Sequence, residues 1–280
     1  MLFLALSIVA SSLIFLIFRL FNKYEVDNLS AIITNYFVAA SCGFLYKWPE
    51  SNLYSYPWFW SACFLGLVFI LLFVVMAKVT QENGISIAAV CNKLSVVIPV
   101  LFAVFFLKER LTIYTFLGIG LSLIGTYMAL FENNQNLKRF VFPLILFVGS
   151  GFLDTFLKYN QTSLVEGDSF IWFTSSIFLF AGIFGLSYLV LFKRKGKVKF
   201  RSVLWGSILG VPNFFSILLL LWTLDFFSKQ SAMVFPINNV GVVIVSSVLS
   251  FILFSEKRSR LNKLGLVIAS IGILLIGFNL

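Results

Sequence analysis

Residues 65–77 read LGLVFILLFVVMA, with no polar side chain on any helical face. A helix that is apolar all round is buried in a large core or in lipid, whereas a barrel strand alternates apolar and polar residues. The whole chain is 60% hydrophobic and 11% charged, and its mean hydropathy is +1.00. Soluble domains carry about 25% charged residues. The stretch and the composition together predict an all-α membrane protein.

Long apolar runs separated by charge, Pro, Gly and Asn recur along the whole chain. A spanning helix needs about 20 such residues, and ten runs leave too few positions for a soluble domain. We therefore expect ten transmembrane helices joined by short loops in one integral membrane domain. The predicted spans are residues 1–21, 29–46, 58–78, 84–107, 112–131, 139–159, 169–192, 202–224, 230–254 and 261–280.

Residue usage argues against most enzyme classes. The chain has no histidine, which excludes imidazole general bases, imidazole metal ligands and nucleophiles activated by histidine. Cys42, Cys63 and Cys91 lie in apolar runs without the paired spacing of zinc sites or disulfide frameworks. No phosphate-binding loop is present to use ATP. We expect neither a cofactor nor a metal, and no enzymatic activity.

The chain resembles itself at an offset of 147 residues. Scarce residue types coincide in this register, and the matched pairs are Trp58 with Trp205, Asn92 with Asn239, Glu109 with Glu256, Gly118 with Gly265, Ser122 with Ala269 and Gly125 with Gly272. The register predicts two five-helix repeats, residues 1–131 and 139–280. Because five is odd, the second repeat enters the membrane inverted, as in many secondary transporters.

Three stretches carry a family resemblance: residues 87–100, IAAVCNKLSVVIPV, residues 107–112, LKERLT, and the glycines Gly118 and Gly125. They resemble the EamA branch of the drug/metabolite transporter superfamily. The resemblance implies ten helices in two five-helix repeats and a transport function, without a specific substrate. The second copy departs from the pattern, since Ser246 replaces Pro99 and the turn at 255–259 reads SEKRS.

Lys93 is the most informative polar residue. It lies nine residues into the fourth predicted span, about 14 Å along a helix at about 1.5 Å per residue. That depth is near the centre of a hydrocarbon core about 30 Å thick. A charge there normally faces the bundle interior or a watery cavity. We expect Lys93 to bind an anionic group or to exchange a proton; the alternative is a structural role, paired with Asp154 or with backbone carbonyls.

Other candidate substrate-binding residues lie at matching depths. Asn92, Asn238 and Asn239 suit zwitterionic or sugar-like groups, and they serve equally as interhelical hydrogen bonds. Asp154 and Lys158 are four residues apart on the sixth span, in the favourable acid-first order. We expect them to form one end of a cavity; the alternative for Lys158 is that its side chain extends to the membrane interface.

Trp205 is both a candidate for lining a cavity and a candidate for the aromatic belt at the membrane surface. It lies near the start of the eighth predicted span. Neither role is decided by the sequence.

These observations favour a secondary transporter that moves a small polar metabolite, anionic or zwitterionic, by alternating access. Proton coupling, ion coupling, exchange and facilitated diffusion stay open. The alternatives are efflux of hydrophobic or cationic drugs, with Asp154 as counter-ion, and, from another class, a membrane-embedded lipid-modifying enzyme. The expected partners are a small-molecule substrate, a coupling ion or proton, and membrane lipids. We expect a monomer or homodimer in the inner (plasma) membrane.

Charge gives an orientation that the resemblance contradicts. In a ten-span topology, fifteen Lys and Arg residues fall on the side opposite the termini and five on the side of the termini. The positive-inside rule then places the termini outside the cytoplasm, whereas the family resemblance implies cytoplasmic termini. The net charge of +10 suits anionic lipid headgroups, and no nucleic acid is expected as a partner.

Overall fold

The computed structural model describes residues 2–98, 101–102, 113–130, 138–165, 169–192, 199–226, 231–254 and 259–277. These residues form ten α-helices and a 3-10 turn, Leu53–Ser55, and contain no strand. The helices are α1 (Leu2–Lys23), α2 (Asn28–Tyr46), α3 (Phe59–Glu82), α4 (Ile85–Leu94), α5 (Ile113–Leu130), α6 (Lys138–Ser163), α7 (Ser169–Phe192), α8 (Phe200–Phe226), α9 (Ser231–Phe254) and α10 (Arg260–Gly277).

Seven of the described helices are long and apolar enough to cross a membrane: α1, α2, α3, α6, α7, α8 and α9. Two shorter apolar helices, Ile85–Leu94 and Phe116–Gly125, lie in the fourth and fifth predicted spans. The chain is therefore an all-helical, multi-pass membrane protein. Nine of the ten predicted spans agree with a helix within four residues at each end.

The fourth predicted span, 84–107, differs from the structure. Helix α4 ends at Leu94, Ser95 and Val96 form a turn, and helical backbone resumes at Val97 and Ile98. The sequence has a proline at position 99, and a proline has no N–H with which to continue the helical hydrogen bonds to the carbonyl oxygen four residues earlier, here that of Ser95. The Ser95 oxygen instead accepts a hydrogen bond from the Ile98 N–H at 2.9 Å. Pro99 itself and the motif turns around Glu109 and Glu256 lie outside the described residues.

The pattern of helix pairings is symmetric: it is unchanged when the first five helices are exchanged with the last five. Helix α1 packs on α8 and α9, whereas α6 packs on α3 and α4. Likewise α2 packs on α8, and α7 packs on α3. Replacing each helix by the one five places along the chain therefore converts each of these pairings into another one. The α2–α7, α4–α9 and α5–α10 pairings map onto themselves.

Small residues bring α5 and α10 into close contact. A Cβ added at Gly125 would overlap the backbone of Ala269, and one added at Gly272 would overlap Ser122. Later positions on α5 thus meet earlier positions on α10, so the two helices run antiparallel. Backbones that approach this closely gain dispersion energy, which drives helix association in lipid.

A polar network joins four helices at the end of the bundle where α1 stops. The Arg19 guanidinium donates hydrogen bonds to the carbonyl oxygens of Thr80, at 3.3 Å, and of Gln81. The Gln81 amide also exchanges two hydrogen bonds with Asn28, at 3.0 and 2.8 Å. The guanidinium lies 5.8 Å from the centre of the Phe254 ring. The network therefore ties α1, α2, α3 and α9 together at this end.

Candidate binding site

Helix α4 is enclosed by other helices before it reaches the candidate site. Every side chain from Ile85 to Cys91 is buried, which shows that α4 does not face lipid in this stretch. Asn92 and Lys93, by contrast, are half-exposed. Because the preceding stretch of α4 is enclosed, we interpret this exposure as access to a space between helices.

Asp154, on α6, also combines an inward-facing position with an exposed side chain. The lipid-facing side of α6 includes Val148, 52% exposed, and Phe152, 47% exposed. At about 100° per residue, Asp154 projects about 120° away from Val148, on a side of the helix that also carries the buried Ser150. The Asp154 side chain is nevertheless exposed. An inward-facing carboxylate with accessible surface indicates a hollow between helices.

Side-chain contacts show which residues of α4 and α6 lie next to each other. The Asn92 Nδ2 donates a hydrogen bond to the Ser150 Oγ at 3.0 Å. One turn further on, the Ser95 hydroxyl donates to the Asn92 carbonyl oxygen at 2.5 Å and lies 3.4 Å from the Asp154 Oδ2. Asn92 therefore lies beside Ser150, and Ser95 beside Asp154, so the two helices run parallel through the site.

The two charges in this layer act on each other. The Lys93 ammonium and the Asp154 carboxylate interact electrostatically. No hydrogen-bond acceptor for the Lys93 Nζ is found among the residues that the structure describes. Lys93 also lies in the last turn of α4, where a cation is stabilised by the partial negative charge of the helix end. Among the described residues, the site thus holds an ammonium and a carboxylate whose hydrogen-bonding capacity is only partly used.

Lys158 lies one turn beyond Asp154 on α6. Its side chain falls outside the description of the structure. The pairing of Asp154 with Lys158 stays a prediction.

The paired asparagines of α9 have different environments. The Ser7 hydroxyl lies 2.9 Å from the Ser216 carbonyl oxygen and 3.2 Å from the Asn238 Oδ1. It therefore links α1 to both α8 and α9. Asn238 is 2% exposed and acts here as an interhelical contact, whereas Asn239 is half-exposed. Asn239 keeps its place as a candidate for contact with a substrate.

Trp205 lies in the second turn of α8, at the membrane end where α1 stops. Its ring stacks on Tyr24 with centroids 4.9 Å apart and meets the edge of Phe21 at 6.3 Å. The matching residue Trp58 stacks in the same way on Tyr56, with centroids 4.9 Å apart. Both contacts are packing contacts near helix starts, and neither brings the tryptophan to the Lys93 layer.

Sequence reasoning missed several polar residues in the interior. Ser95 and Ser150 are in the candidate site, but serine is too common in membrane helices to attract notice. The Asn213 Nδ2 donates a hydrogen bond to the Asn35 Oδ1 at 3.1 Å, and both residues are buried between α2 and α8. An isolated asparagine inside an apolar run was the signal available for this second pair.

The first half of the chain carries a family signature. Residues 1–131 match the EamA-like transporter family. The match covers α1 to α5, including α4 with Asn92 and Lys93. It confirms the resemblance to the drug/metabolite transporter superfamily, and the matched family is one of membrane transporters.

Two further likenesses extend beyond the first half. An uncharacterized protein of Haemophilus influenzae (strain ATCC 51907 / DSM 11121 / KW20 / Rd) is 27% identical over 209 residues, which covers 72% of this chain and 70% of that protein. A solved crystal structure superposes with a TM-score of 0.65 at 14% identity, covering 98% of this chain and 94% of that chain. At that identity the structural likeness concerns the fold alone.

Proposed function

We propose that the protein is a secondary transporter, not an enzyme, and that it moves a small polar metabolite, anionic or zwitterionic, across the membrane by alternating access. The observation that carries the proposal is the accessible polar layer between α4 and α6. There Lys93 and Asp154 lie inside an apolar bundle whose first half matches a transporter family. Charges at this depth are costly, and they mark substrate or ion pathways.

The proposed architecture is a pair of inverted five-helix repeats, residues 1–131 and 139–280, with ten spans in all. The antiparallel α5 and α10 support it, because equivalent helices of inverted repeats run in opposite directions. The contact of Gly125 with Ala269 also becomes the contact of Ser122 with Gly272 when each residue is exchanged for its partner at the offset of 147. A two-fold axis between α5 and α10 would produce this exchange.

In this architecture the site lies where the repeats meet. Helix α4 of the first repeat contacts α6 of the second, and α9 of the second contacts α1 of the first. Rocking of one repeat against the other would open the Lys93 layer to each side in turn. We place the protein in the cell inner (plasma) membrane, as a monomer or homodimer with bound lipid.

A topology experiment tests the ten spans. One reporter is fused after Leu280 and a second is inserted between Lys195 and Lys197. Three spans separate the two positions in the proposed topology, so the reporters should lie on opposite sides of the membrane. Two reporters on the same side would contradict the topology.

A transport screen tests the function. Purified protein in liposomes is offered amino acids, organic anions, sugars and cationic dyes, with empty liposomes and Lys93→Ala liposomes as controls. We expect amino acids or organic anions to enter liposomes that contain the native protein, and not to enter either of the two control liposomes. Uptake confined to cationic dyes would contradict the proposed substrate class and support drug efflux.

A further inference from the structure

We infer that the polar layer between α4 and α6 binds a zwitterion with one carboxylate and one ammonium group, as in an α-amino acid. The inference rests on the proposed transport function and selects one of its two substrate classes. In the bound state the Lys93 ammonium meets the carboxylate of the ligand, and the Asp154 carboxylate meets its ammonium.

The charge of the layer supports a ligand with no net charge. Among the side chains that the structure describes in the layer between α4 and α6, Lys93 and Asp154 are the charged ones. Their formal charges sum to zero. A zwitterion leaves that sum unchanged, whereas a simple anion or cation adds one charge that the low-dielectric interior must bear without a counter-charge.

The hydrogen-bonding capacity of the two side chains also favours a zwitterionic ligand. A lysine ammonium has three donors and no acceptor, and an ionised aspartate accepts only. The described residues offer the Lys93 Nζ no acceptor, and Ser95 gives its proton to the Asn92 carbonyl oxygen at 2.5 Å, so its 3.4 Å approach to Asp154 is a weak contact. With respect to the described residues, the Lys93 ammonium therefore has unused donors and the Asp154 carboxylate unused acceptors, which a carboxylate and an ammonium on one molecule can fill together.

The interaction between Lys93 and Asp154 explains why both charges are needed on one ligand. Without substrate, Lys93 and Asp154 serve as counter-charges to each other. A zwitterion replaces each counter-charge as it separates the pair. A ligand with a single charge compensates one side chain and leaves the other isolated, which is costly inside the bundle.

Three matched sets of probes test the inference. The first is a panel of neutral L-α-amino acids, the second the corresponding amines without the carboxylate, and the third the corresponding carboxylic acids without the amino group. Binding is measured by thermal stabilisation of the purified full chain and transport by uptake into liposomes. We expect each bound amino acid to bind at least about ten-fold more tightly than its two analogues.

Single-charge variants should change the preference and not merely weaken it. Asp154→Asn leaves a net positive site, which should favour the carboxylic acid over the amine. Lys93→Met leaves a net negative site, which should favour the amine. Glu50→Gln and Lys263→Ala change exposed charges outside the site, and both should keep the amino-acid preference.

The outcomes separate this inference from the proposed function. Tighter binding of carboxylic acids than of amino acids by the native protein, or transport of sugars only, overturns the zwitterion and leaves a polar-metabolite transporter standing. A folded protein that transports none of these solutes contradicts both proposals. If the single variants do not fold, the ranking of the three probe sets by the native protein decides the question.

Discussion

Helices α4 and α9 occupy matching places in the two proposed repeats, yet they carry different chemistry. Each has an asparagine at the same register position, Asn92 and Asn239. Beside it, α4 has a charged residue, Lys93, where α9 has the buried Val240. At this matched position the first repeat therefore supplies the cation of the candidate site, and the second supplies an apolar packing residue.

The backbones of the two helices differ as well. Helix α4 ends at Leu94, whereas α9 continues from Ser231 to Phe254. Ser246 occupies the position in α9 that matches Pro99, and its hydroxyl donates to the Val242 carbonyl oxygen at 2.5 Å within an intact helix. The two helices therefore differ near the site: the helical backbone is interrupted at Ser95 and Val96 after α4, whereas α9 is continuous around Ser246.

The largest expected effect separates Lys93 from its counterpart. Lys93→Ala should lower transport at least about ten-fold, because loss of a charged partner in a buried contact costs about 2–5 kcal/mol or more. Lys93→Arg should restore transport only in part, since a planar guanidinium replaces a compact ammonium. Initial uptake rates into liposomes measure both effects.

Val240→Ala is the matched control for Lys93→Ala. It should keep the transport rate and lower the free energy of unfolding by about 1–2 kcal/mol through lost packing. If Lys93 is instead a structural partner of Asp154, Lys93→Ala should unfold readily and the double variant Lys93→Ala with Asp154→Asn should restore folding. A stable Lys93→Ala protein that transports at the native rate would remove the support for the site.

The second prediction transfers the helix break from α4 to α9. Ser246→Pro should lower the free energy of unfolding by about 3 kcal/mol, because a proline inside a continuous helix removes a hydrogen bond and clashes with the preceding turn. Unfolding in mixed micelles, followed by circular dichroism, measures the change. Ser246→Ala is the control and should stay within about 1 kcal/mol of the native protein. Equal stability of the proline and alanine variants would show that α9 tolerates the break.

The third prediction tests whether the two repeats contribute equally to the α5–α10 contact. Gly125→Ala and Gly272→Ala should each cost about 1–3 kcal/mol, because the added methyl group overlaps the facing helix. Gly120→Ala is the matched control, since a Cβ there meets no atom within 4 Å. It should be neutral or stabilise the helix by up to about 1 kcal/mol. Thermal unfolding of all three variants in one detergent makes the comparison.

The smallest expected effect concerns the asparagines of α9. Asn238→Ala should cost about 0.6–1.7 kcal/mol, the range of interhelical hydrogen bonds in membranes, because the contact with Ser7 is lost. Its transport rate should stay within a factor of two, about 0.4 kcal/mol. Asn239→Ala should change the transport rate more than the stability. A reversed pattern would exchange the roles of the two residues.

Much of the fold could be predicted from the sequence, because a spanning helix is defined locally by apolar length. Nine predicted spans agree with observed helices within four residues. The exception is the fourth span, where Ser95 and Val96 form a turn inside an otherwise continuous apolar run that also contains a proline at position 99. Proline is common in membrane helices, and many helices continue through it, so composition alone could not reveal this interruption.

The candidate site, like the fold, could be predicted only in part. Lys93 could be identified from the sequence alone, because a charged residue in the middle of a membrane span is energetically costly whichever residues surround it. The contacts that build the site could not be predicted in this way. They join residues 58 and 59 positions apart, Asn92 with Ser150 and Ser95 with Asp154. Which helical faces meet is decided by packing between helices of nearly uniform hydrophobicity. Only the tertiary structure could therefore bring the Asp154 carboxylate beside the Lys93 ammonium and leave accessible space between the helices that carry them.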